Sequence, residues 1–368
     1  MTLRIAAWNV CWFANLFDDD DRLIDDLGWS AMHDVTRRRQ GAAIAEVLGR
    51  VNADIFAIVE APDTGKTRSA VRALEGFAGR FGLRQSRALT GFVSETEQEI
   101  ALLYDPHRIA AAHDPVGIRL DENGWVPGAL GEDAPRFDGV FPLDLDGDGE
   151  VDLHRFSKPP LEAAVTDLAT DTRFRMIAVH AKSKAPHGAA NAQEAARISL
   201  LNRRKQLAQC AWLRARIEEH LDRGEDVIAL GDFNDGPGLD KYERVFGRSG
   251  VEVVMGDPAQ PGRLLRNPYT RPRHPPFGGG PSSARFYNRE KGGFLNALID
   301  FVMLSPELAA RTAPAWRIWH PFDDRECFED EGLQRALLDA SDHFPVSVDL
   351  RFASGNLPDA GAAAQDGG

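Results

Sequence analysis

Several short apolar runs of this chain end in acids, amides or imidazoles, the side chains that bind metal ions and transfer protons. The run at residues 3–8 ends at Asn9, and the run at residues 54–59 ends at Glu60. Short apolar runs bounded by polar residues are typical of buried strands. Because strand ends gather at the edges of a sheet, such side chains could converge on one site. The others at or beside such runs are His180, Lys182, Asp232, Asn234, Asp300, Asp342 and His343.

Each of these positions also has an ordinary structural interpretation. A strand-terminal Asn or Asp more often bonds the backbone of its own turn, and Gly231–Asn234 could simply lead into a turn at residues 235–238. Asp300 differs because apolar residues flank it on both sides. A carboxylate in an apolar strand is strongly unfavourable unless a partner compensates it, and His343 is the candidate partner. The number of such features in one chain favours a shared site over coincidence.

The strand candidates alternate with two segments of helical periodicity. Apolar residues recur at helical spacing from Ile44 to Val51 and again over residues 192–221. Strands interleaved with helices predict a layered α/β or α+β protein. Residues 107–158 and 256–293 are rich in Pro, Gly and charge, which predicts functional loops or insertions. The tail at residues 354–368 has no periodicity, which predicts disorder.

Charge and composition narrow the class of protein. The formal net charge of −13 over 368 residues argues against general adhesion to nucleic acid. Two acidic segments, residues 18–26 and 120–152, carry that charge, so the nearly neutral remainder leaves room for a local basic groove; solvated acidic loops are the alternative. No apolar run approaches the ~18 residues of a membrane span, and the N-terminus lacks the pattern of a secretion signal. Three scattered cysteines predict a reducing compartment, the cytoplasm.

In chain order, these motifs resemble those of the endonuclease/exonuclease/phosphatase superfamily, which includes deoxyribonucleases, abasic-site endonucleases, neutral sphingomyelinases and inositol polyphosphate 5-phosphatases. The resemblance extends from residue 3 to about residue 352, and the GDFN and SDH segments are its most specific part. It implies a four-layer α/β (α+β) sandwich, with two packed mixed β-sheets flanked by helices. It also implies one domain over residues 1–353 that carries an acidic insertion around 107–158. The resemblance rests on Trp8-Asn9, Glu60, His180-Ala181-Lys182-Ser183, Gly231-Asp232-Phe233-Asn234, Ile299-Asp300-Phe301 and Ser341-Asp342-His343.

The resemblance further implies a metal-dependent phosphoesterase that uses in-line attack of water and forms no covalent intermediate. Asn9, Glu60 and Asp342 would provide the hard oxygen ligands that suit Mg²⁺ or Mn²⁺. No cysteine–histidine cluster in the sequence points to zinc. The implied catalytic residues are His180, Asp232, Asn234, Asp300 and His343.

Two of these residues are alternatives for the group that takes a proton from the attacking water. His343, oriented by Asp300, has an imidazole that exchanges protons near neutral pH, and Asp232 is the other candidate. His180 would donate to a phosphoryl oxygen, or act as the acid, as charge builds in the transition state. Secreted deoxyribonucleases support the corresponding histidine with a glutamate, and residues 156–161 contain no counterpart.

An acidic repeat within the insertion resembles part of a calcium-binding loop. Asp144, Asp146, Asp148 and Asp152 occupy positions 1, 3, 5 and 9 of that pattern, with glycine at position 6. Arg155 stands at position 12, where a bidentate glutamate is usual. A structural Ca²⁺ site and a solvated acidic turn are therefore equal alternatives.

The catalytic motifs do not select the substrate, because the superfamily shares them across nucleic acids, lipids and inositol phosphates. Residues 256–293 interleave basic and aromatic side chains, among them Tyr287, which could bind phosphates and stack on bases, or could form an ordinary polar loop with inward-packed aromatics. Lys182 is a second candidate for phosphate contact. No hydrophobic hairpin or amphipathic membrane segment stands out, which disfavours lipid hydrolysis and integral membrane association.

We therefore predict a nuclease that acts on DNA or RNA. A phosphomonoesterase and a phospholipid phosphodiesterase are the alternatives of the same fold, and a non-catalytic, calcium-stabilised binding module is the alternative of a different class. The residues specify neither the oligomeric state nor the choice between endonuclease and exonuclease.

Overall fold

The computed structural model describes residues 1–122, 133–145, 147–238, 246–270, 280–288 and 292–352. The strands in this part of the chain are β1 (Thr2–Asn9), β2 (Ile55–Ala61), β3 (Arg87–Thr90), β4 (Glu99–Tyr104), β5 (Ile109–His113), β6 (Phe141–Leu143), β7 (Asp152–His154), β8 (Leu161–Asp167), β9 (Thr172–His180), β10 (Val227–Asp232), β11 (Ala284–Asn288), β12 (Gly293–Ala297), β13 (Asp300–Leu304), β14 (Ala315–Ile318) and β15 (Val346–Arg351).

The helices in the same ranges are α1 (Arg37–Val51), α2 (Ala70–Phe81), α3 (Ala192–Asp222), α4 (Gly250–Met255), α5 (Pro306–Thr312), α6 (Arg325–Glu329) and α7 (Glu331–Ala340), with a 3-10 turn at Phe13–Leu16. Across these described residues, no helix combines the length and the apolar character needed to cross a bilayer.

Two mixed sheets form the centre of the molecule. One has the strand order β14-β15-β1-β2-β4-β3, and the other has the order β13-β10-β9-β8-β5. Within them β1 and β2 run parallel, as do β9 and β10, whereas the remaining neighbours are antiparallel. Parallel neighbours end at the same edge of a sheet, so this pairing brings the polar ends of β1 and β2 together and those of β9 and β10 together.

Successive side chains of the central strands alternate between two faces, and this alternation produces the layers. Side chains of a strand point to opposite faces in turn; in β1, Ile5 and Ala7 lie in the core between the sheets, whereas Trp8 packs on the other face beneath helices α1, α2 and α7. In the second sheet, Met176 faces the inter-sheet core and Ile177 packs outward against α3. The order of layers is therefore helices, sheet, sheet, helices. The predicted four-layer α/β sandwich is confirmed.

Residues 107–158 contain more regular structure than predicted. Strand β5 completes the second sheet by pairing with β8, so residues 109–113 of the predicted insertion belong to the sheet. Three alanines occupy the middle of β5, and their small side chains give little contrast between a buried and an exposed face. Residues 256–293 likewise include β11, which was predicted as loop. The predicted disordered tail lies outside the described residues.

The first acidic segment is not simply a solvated loop. Asp21 is nearly buried and accepts the backbone amide of Ser69 at 2.9 Å, and its carboxylate also pairs with Arg72 of α2. The acids of this segment pair with arginines in α1, in α2 and just before α2, and these ion pairs hold the segment against both helices. The other pairs are Asp19–Arg68, Asp25–Arg38, Asp25–Arg80 and Asp26–Arg37.

Candidate active site

The strand pairings bring the predicted side chains to one edge of both sheets. Asn9 ends β1 beside the end of β2, where Glu60 lies. Asp232, at the end of β10, has His180 of β9 as its strand partner on one side and Asp300 of β13 on the other. The side-chain amide of Asn9 donates to Asp232 at 3.1 Å and so joins the two sheets. A second contact from the same amide reaches Glu60 at 3.4 Å.

Four residues at this edge have a strained backbone conformation. Cys11, Trp12, Glu60 and Asn234 all have positive φ values, between 29° and 58°, which are unfavourable for residues other than glycine. Glu60 also lies where the β2–β4 register shifts, so a bulge re-aims its side chain. Such strain persists only where the surrounding structure enforces it, and it clusters at functional sites.

The GDFN turn requires its glycine and uses its asparagine in two ways. A Cβ on Gly231 would lie 2.2 Å from the carbonyl oxygen of Val179, so no larger residue fits there. The backbone amide of Asn234 donates to Asp232 Oδ1 at 2.8 Å, as a turn residue does. Its side-chain amide donates to Asp232 Oδ2 and to the Ala181 carbonyl, both at 3.1 Å. Asn234 therefore closes the turn and also holds the carboxylate of Asp232.

A buried hydrogen-bond chain orients His343. Its Nδ1 lies 2.9 Å from Asp300 Oδ2, and Ser283 Oγ donates to the same oxygen at 2.7 Å. The backbone amide of His343 donates to Ser341 Oγ. One ligand atom from each of Asp232, Asp300 and His343 lies within 4.8 Å of the others. The hydrogen bond between His343 and Asp300 already explains why these two side chains lie close together, so their closeness does not by itself indicate a metal ion.

Burial and the charge of Asp300 together shift the pKa values of Asp232 and His343. Burial, reinforced by the charge of Asp300, raises the pKa of Asp232 to about 7. Burial opposes the charged form of His343, but the charge and hydrogen bond of Asp300 outweigh it and raise the pKa of His343 to about 10. Asp232 can therefore exchange a proton near neutral pH, whereas His343 stays protonated.

Lys158 lies beside His180, in the segment at residues 156–161 that lacks the supporting glutamate of secreted deoxyribonucleases. Lys158 Nζ lies 3.2 and 3.3 Å from the two ring nitrogens of His180. Burial lowers the pKa of His180 well below its usual value, and the charge of Lys158 lowers it further. Burial also lowers the pKa of Lys158, whereas the charges of Glu60 and Asp232 oppose that decrease. Sequence reasoning missed Lys158 because it belongs to no motif, and its only local signal is the Pro159-Pro160 pair before β8.

The predicted metal ligands offer an oxygen-only donor set. Glu60 Oε2 accepts the amide of Trp12 at 2.8 Å, and Asn9 Oδ1 accepts the amide of Cys11 at 3.1 Å. Asp342 lines the same cavity as Cys11, which follows Asn9 by two residues, so it lies in the same region. Burial and the charges of Asp342 and Glu60 raise the pKa of the Cys11 thiol well above its usual value, which disfavours the thiolate form that binds metals. The donors therefore fit a hard cation such as Mg²⁺ or Mn²⁺.

The remaining predicted contacts lie at the margin of this region. The charge of Lys182 contributes to the lowered pKa of His180, and the backbone amide of Lys182 donates to Gln209 at 2.8 Å. Tyr287 lines a cavity that Asp342 also lines. Both residues are therefore near the site, and their contact with substrate stays a prediction.

The acidic repeat forms a turn between two strands. Asp144 accepts the amides of Gly147 and Gly149 at 2.7 and 3.0 Å, and Asp148 accepts the amide of Glu150. Asp152 lies in strand β7, and Asp146 is outside the described residues. Asp144 and Asp148 thus bond their own loop, whereas Asp152 lies 3.6 Å from Arg204 of α3, and calcium binding stays a prediction.

Comparison with known proteins gives the family. The chain matches the family model described as "Endonuclease/Exonuclease/phosphatase family" over residues 6–343. No curated protein matches it. Among similar solved structures, an endonuclease/exonuclease/phosphatase from Bacteroides vulgatus is 15% identical, with 96% of this chain and 100% of that chain covered and a TM-score of 0.48.

Two eukaryotic structures show a similar likeness. TDP2 from C. elegans is 14% identical, with 96% of this chain and 75% of that chain covered and a TM-score of 0.49. The human Nocturnin catalytic domain with a bound sulfate anion is 13% identical, with coverage of 96% and 94% and a TM-score of 0.48. Because the family model spans the strands that carry the candidate site, this chain belongs to the endonuclease/exonuclease/phosphatase family, whose enzymes hydrolyse phosphoester bonds and generally depend on divalent metal ions.

Proposed function

We propose that this chain is a phosphodiesterase that hydrolyses nucleic acid with Mg²⁺ or Mn²⁺ held by Asn9, Glu60 and Asp342. The hydrogen bond from Asn9 to Asp232 is the observation that carries the proposal, because it places candidate metal ligands of one sheet against candidate acid–base groups of the other. When bound, the ion would polarise the phosphoryl oxygens and stabilise the leaving oxygen.

The chain's own residues would perform the proton transfer. Asp232, with a pKa of about 7, accepts a proton from the attacking water, and Asn234 holds its carboxylate in place. His343 remains cationic beside Asp300 and stabilises negative charge instead of removing the proton. This assignment favours Asp232 over His343 as the general base.

The phosphate side of the site would be positively charged. Lys158 is largely buried, and it faces Glu60 and Asp232 with its charge directed at the same region as His180. A cation placed in a region of low dielectric stabilises charge that develops on a phosphoryl group. Neutral His180 would donate a hydrogen bond there, with Lys182 as a further cation.

A panel of substrates tests this function. The purified chain is incubated with Mg²⁺, with Mn²⁺ or with EDTA, and plasmid DNA, single-stranded DNA, RNA, sphingomyelin and inositol phosphates are each offered as substrate. We expect metal-dependent cleavage of nucleic acid and none with EDTA. Release of phosphate from inositol phosphates, or cleavage of sphingomyelin alone, would replace the nuclease with another activity of the family. Ligand binding without any turnover would instead favour a binding module.

A further inference from the structure

We propose that Gln40 of α1 is a positioning residue that sets the affinity of the proposed metal site without contacting the ion. Its side chain is fully buried, and its Nε2 donates to two backbone carbonyl oxygens, that of Cys11 at 3.3 Å and that of Ala340 at 3.0 Å. The first carbonyl lies two residues after Asn9, and the second lies two residues before Asp342. This inference rests on the proposed function, because it concerns the metal ligands proposed there.

The first bond fixes the peptide that joins Cys11 to Trp12. The carbonyl group of this peptide accepts from Gln40, and its N–H group, on Trp12, donates to Glu60 Oε2 at 2.8 Å. The two groups of one planar trans peptide point in opposite directions, so a hydrogen bond on one side controls the direction of the other. The preceding amide, that of Cys11, donates to Asn9 Oδ1 at 3.1 Å. Gln40 therefore orients oxygens of two proposed ligands through one short segment of backbone.

This segment needs an external partner because its backbone is strained. Cys11 and Trp12 have φ values of 29° and 56°, in the left-handed region that residues with a side chain rarely adopt. A strained conformation persists only where the surrounding structure enforces it. Without the amide of Gln40, rotation of the peptide would relieve the strain and would turn the N–H group of Trp12 away from Glu60.

The second bond holds the start of the segment that carries Asp342. Ala340 is the last residue of α7, and the final carbonyl groups of a helix have no partner within that helix. Gln40 provides the partner for Ala340. The next residue, Ser341, donates its hydroxyl to the backbone carbonyl of Asn9 at 2.8 Å. One buried amide from α1 thus ties the end of α7 to the segment that follows β1.

The oxygen of the same amide indicates that Gln40 serves position more than stability. Gln40 Oε1 is buried, and no residue in the described part of the chain donates a hydrogen bond to it. A buried acceptor without a donor is unfavourable. The NH₂ group must nevertheless face the two carbonyl groups, because only that end of an amide can donate. The unfavourable oxygen is therefore a consequence of holding both carbonyl groups in place.

Gln85 forms the same kind of bond away from the site and provides a matched control. Its side chain is also buried, and its Nε2 donates to the carbonyl oxygen of Ala53 at 2.5 Å. Ala53 precedes β2, whereas Glu60 lies near the other end of that strand, roughly 20 Å away at the usual rise of a strand. Replacement of Gln85 removes a buried hydrogen bond to the backbone without touching the proposed ligands.

Metal binding measured without turnover tests the role of Gln40. Free Mn²⁺ is followed by electron paramagnetic resonance while the purified chain is titrated, which gives the dissociation constant of the ion. Loss of an outer partner of a metal ligand typically weakens metal affinity by about 10–100-fold. We therefore expect Gln40→Met to raise the dissociation constant of Mn²⁺ at least ~10-fold, whereas Gln85→Met should leave it unchanged. Hydrolysis at saturating Mn²⁺ should keep a kcat close to that of the wild type, because the change affects binding of the ion and not the proton transfer.

A second variant and a local reporter keep the test independent of folding. Gln40→Asn retains a buried amide that is one methylene too short to reach both carbonyl groups, so it should also weaken Mn²⁺ binding. Cys11 is half-buried and lines the cavity, whereas Cys210 and Cys327 are buried. If the strained peptide loosens, N-ethylmaleimide should modify Cys11 faster in Gln40→Met than in Gln85→Met.

The possible failures are distinguishable. If both Gln40 variants bind Mn²⁺ as tightly as the wild type does, the inference is overturned and the proposed function stands. An equal loss of thermal stability in Gln40→Met and Gln85→Met, with no change in Mn²⁺ affinity, would likewise leave Gln40 with a structural role alone. Absence of Mn²⁺ binding by the wild-type chain would overturn the proposed metal site itself, and this inference with it.

Discussion

Asp232 and His343 are buried side by side, and their pKa values are displaced so that one can accept a proton and the other retains one. Replacement of Asp232 by Ala removes the proposed base, and replacement of His343 by Ala removes the cation that Asp300 holds. We expect each variant to lower kcat at least ~100-fold, the magnitude for loss of a positioned acid–base or electrostatic group. Steady-state hydrolysis together with thermal unfolding checks this. His107→Ala, at an exposed histidine, is the control, and near-normal turnover in a folded His343→Ala protein would refute the assignment.

The contact between Lys158 and His180 gives a second prediction about single residues. Lys158→Gln removes a cation that faces both His180 and the carboxylates, so we expect kcat/KM to decrease at least ~10-fold. Because the charge of Lys158 lowers the pKa of His180, its removal should also raise that pKa, which an NMR titration of the imidazole would detect. Lys66→Gln changes an exposed lysine and serves as control. An unchanged His180 titration would show that the contact has no electrostatic effect.

Helix α3 forms hydrogen bonds to the loops that follow β9 and β10 at the candidate site. Gln206 donates to the carbonyl oxygens of Lys182 and Asn234, both at 2.9 Å, and so connects the segments after β9 and β10. Beside it, fully buried Arg203 pairs with fully buried Asp235, which Lys184 also contacts at 2.7 Å. The helix therefore positions the GDFN turn through polar contacts that its own apolar periodicity does not reveal.

Loss of the buried arginine tests this connection between elements. Arg203→Leu would leave the carboxylate of Asp235 inside the protein with one cation fewer, so we expect the free energy of unfolding to decrease by about 3–5 kcal/mol. Denaturant unfolding measures the change. Arg197→Leu, at an exposed position of the same helix, should have little effect. If Arg203→Leu is as stable as the wild type, the Arg203–Asp235 ion pair makes no net contribution to the free energy of unfolding.

Strand β4 begins with a buried acid, and that acid makes stability depend on pH. Burial raises the pKa of Glu99 from 4.5 to about 7. The folded protein therefore binds a proton more tightly than the unfolded chain, so this group's contribution is full below pH 4.5 and is lost as pH rises to about 7. A glutamine side chain cannot ionise, so we expect the free energy of unfolding of Glu99→Gln, minus that of the wild type, to be about 1–3 kcal/mol larger at pH 8 than at pH 5. Chemical denaturation at the two pH values checks this, and a difference that does not vary with pH would contradict it.

The site as a whole exists only because two sheets pack face to face. The proposed metal ligand Glu60 comes from the first sheet, and Asp232 comes from the second. An ion that binds the folded state and not the unfolded state raises the apparent stability of the protein by mass action. We therefore expect millimolar Mg²⁺ to raise the midpoint of thermal unfolding and Glu60→Gln to abolish that increase. Glu46→Gln, at an exposed position of α1, should preserve it. A metal effect that survives in Glu60→Gln would place the ion elsewhere.

The sequence alone determined the class of fold and most of the candidate site. Short apolar runs and helical periodicity are local patterns, so β1 and β2 could be predicted to within a few residues. The polar residues at strand ends could be named for the same reason, and their resemblance to one family led to the four layers. Strand β5 was missed, because its alanines carry almost no periodic signal.

Only the tertiary structure decided what surrounds those side chains. Lys158 reaches His180 from the segment that precedes β8, Arg203 reaches Asp235 across 32 residues, and Arg285 is bonded to Asp342 across 57 residues of sequence. Contacts of this kind depend on how sheets and helices pack, which no local pattern encodes. The pKa values of Asp232 and His343 depend on the same packing, because they follow from burial and from the separation of charges after folding.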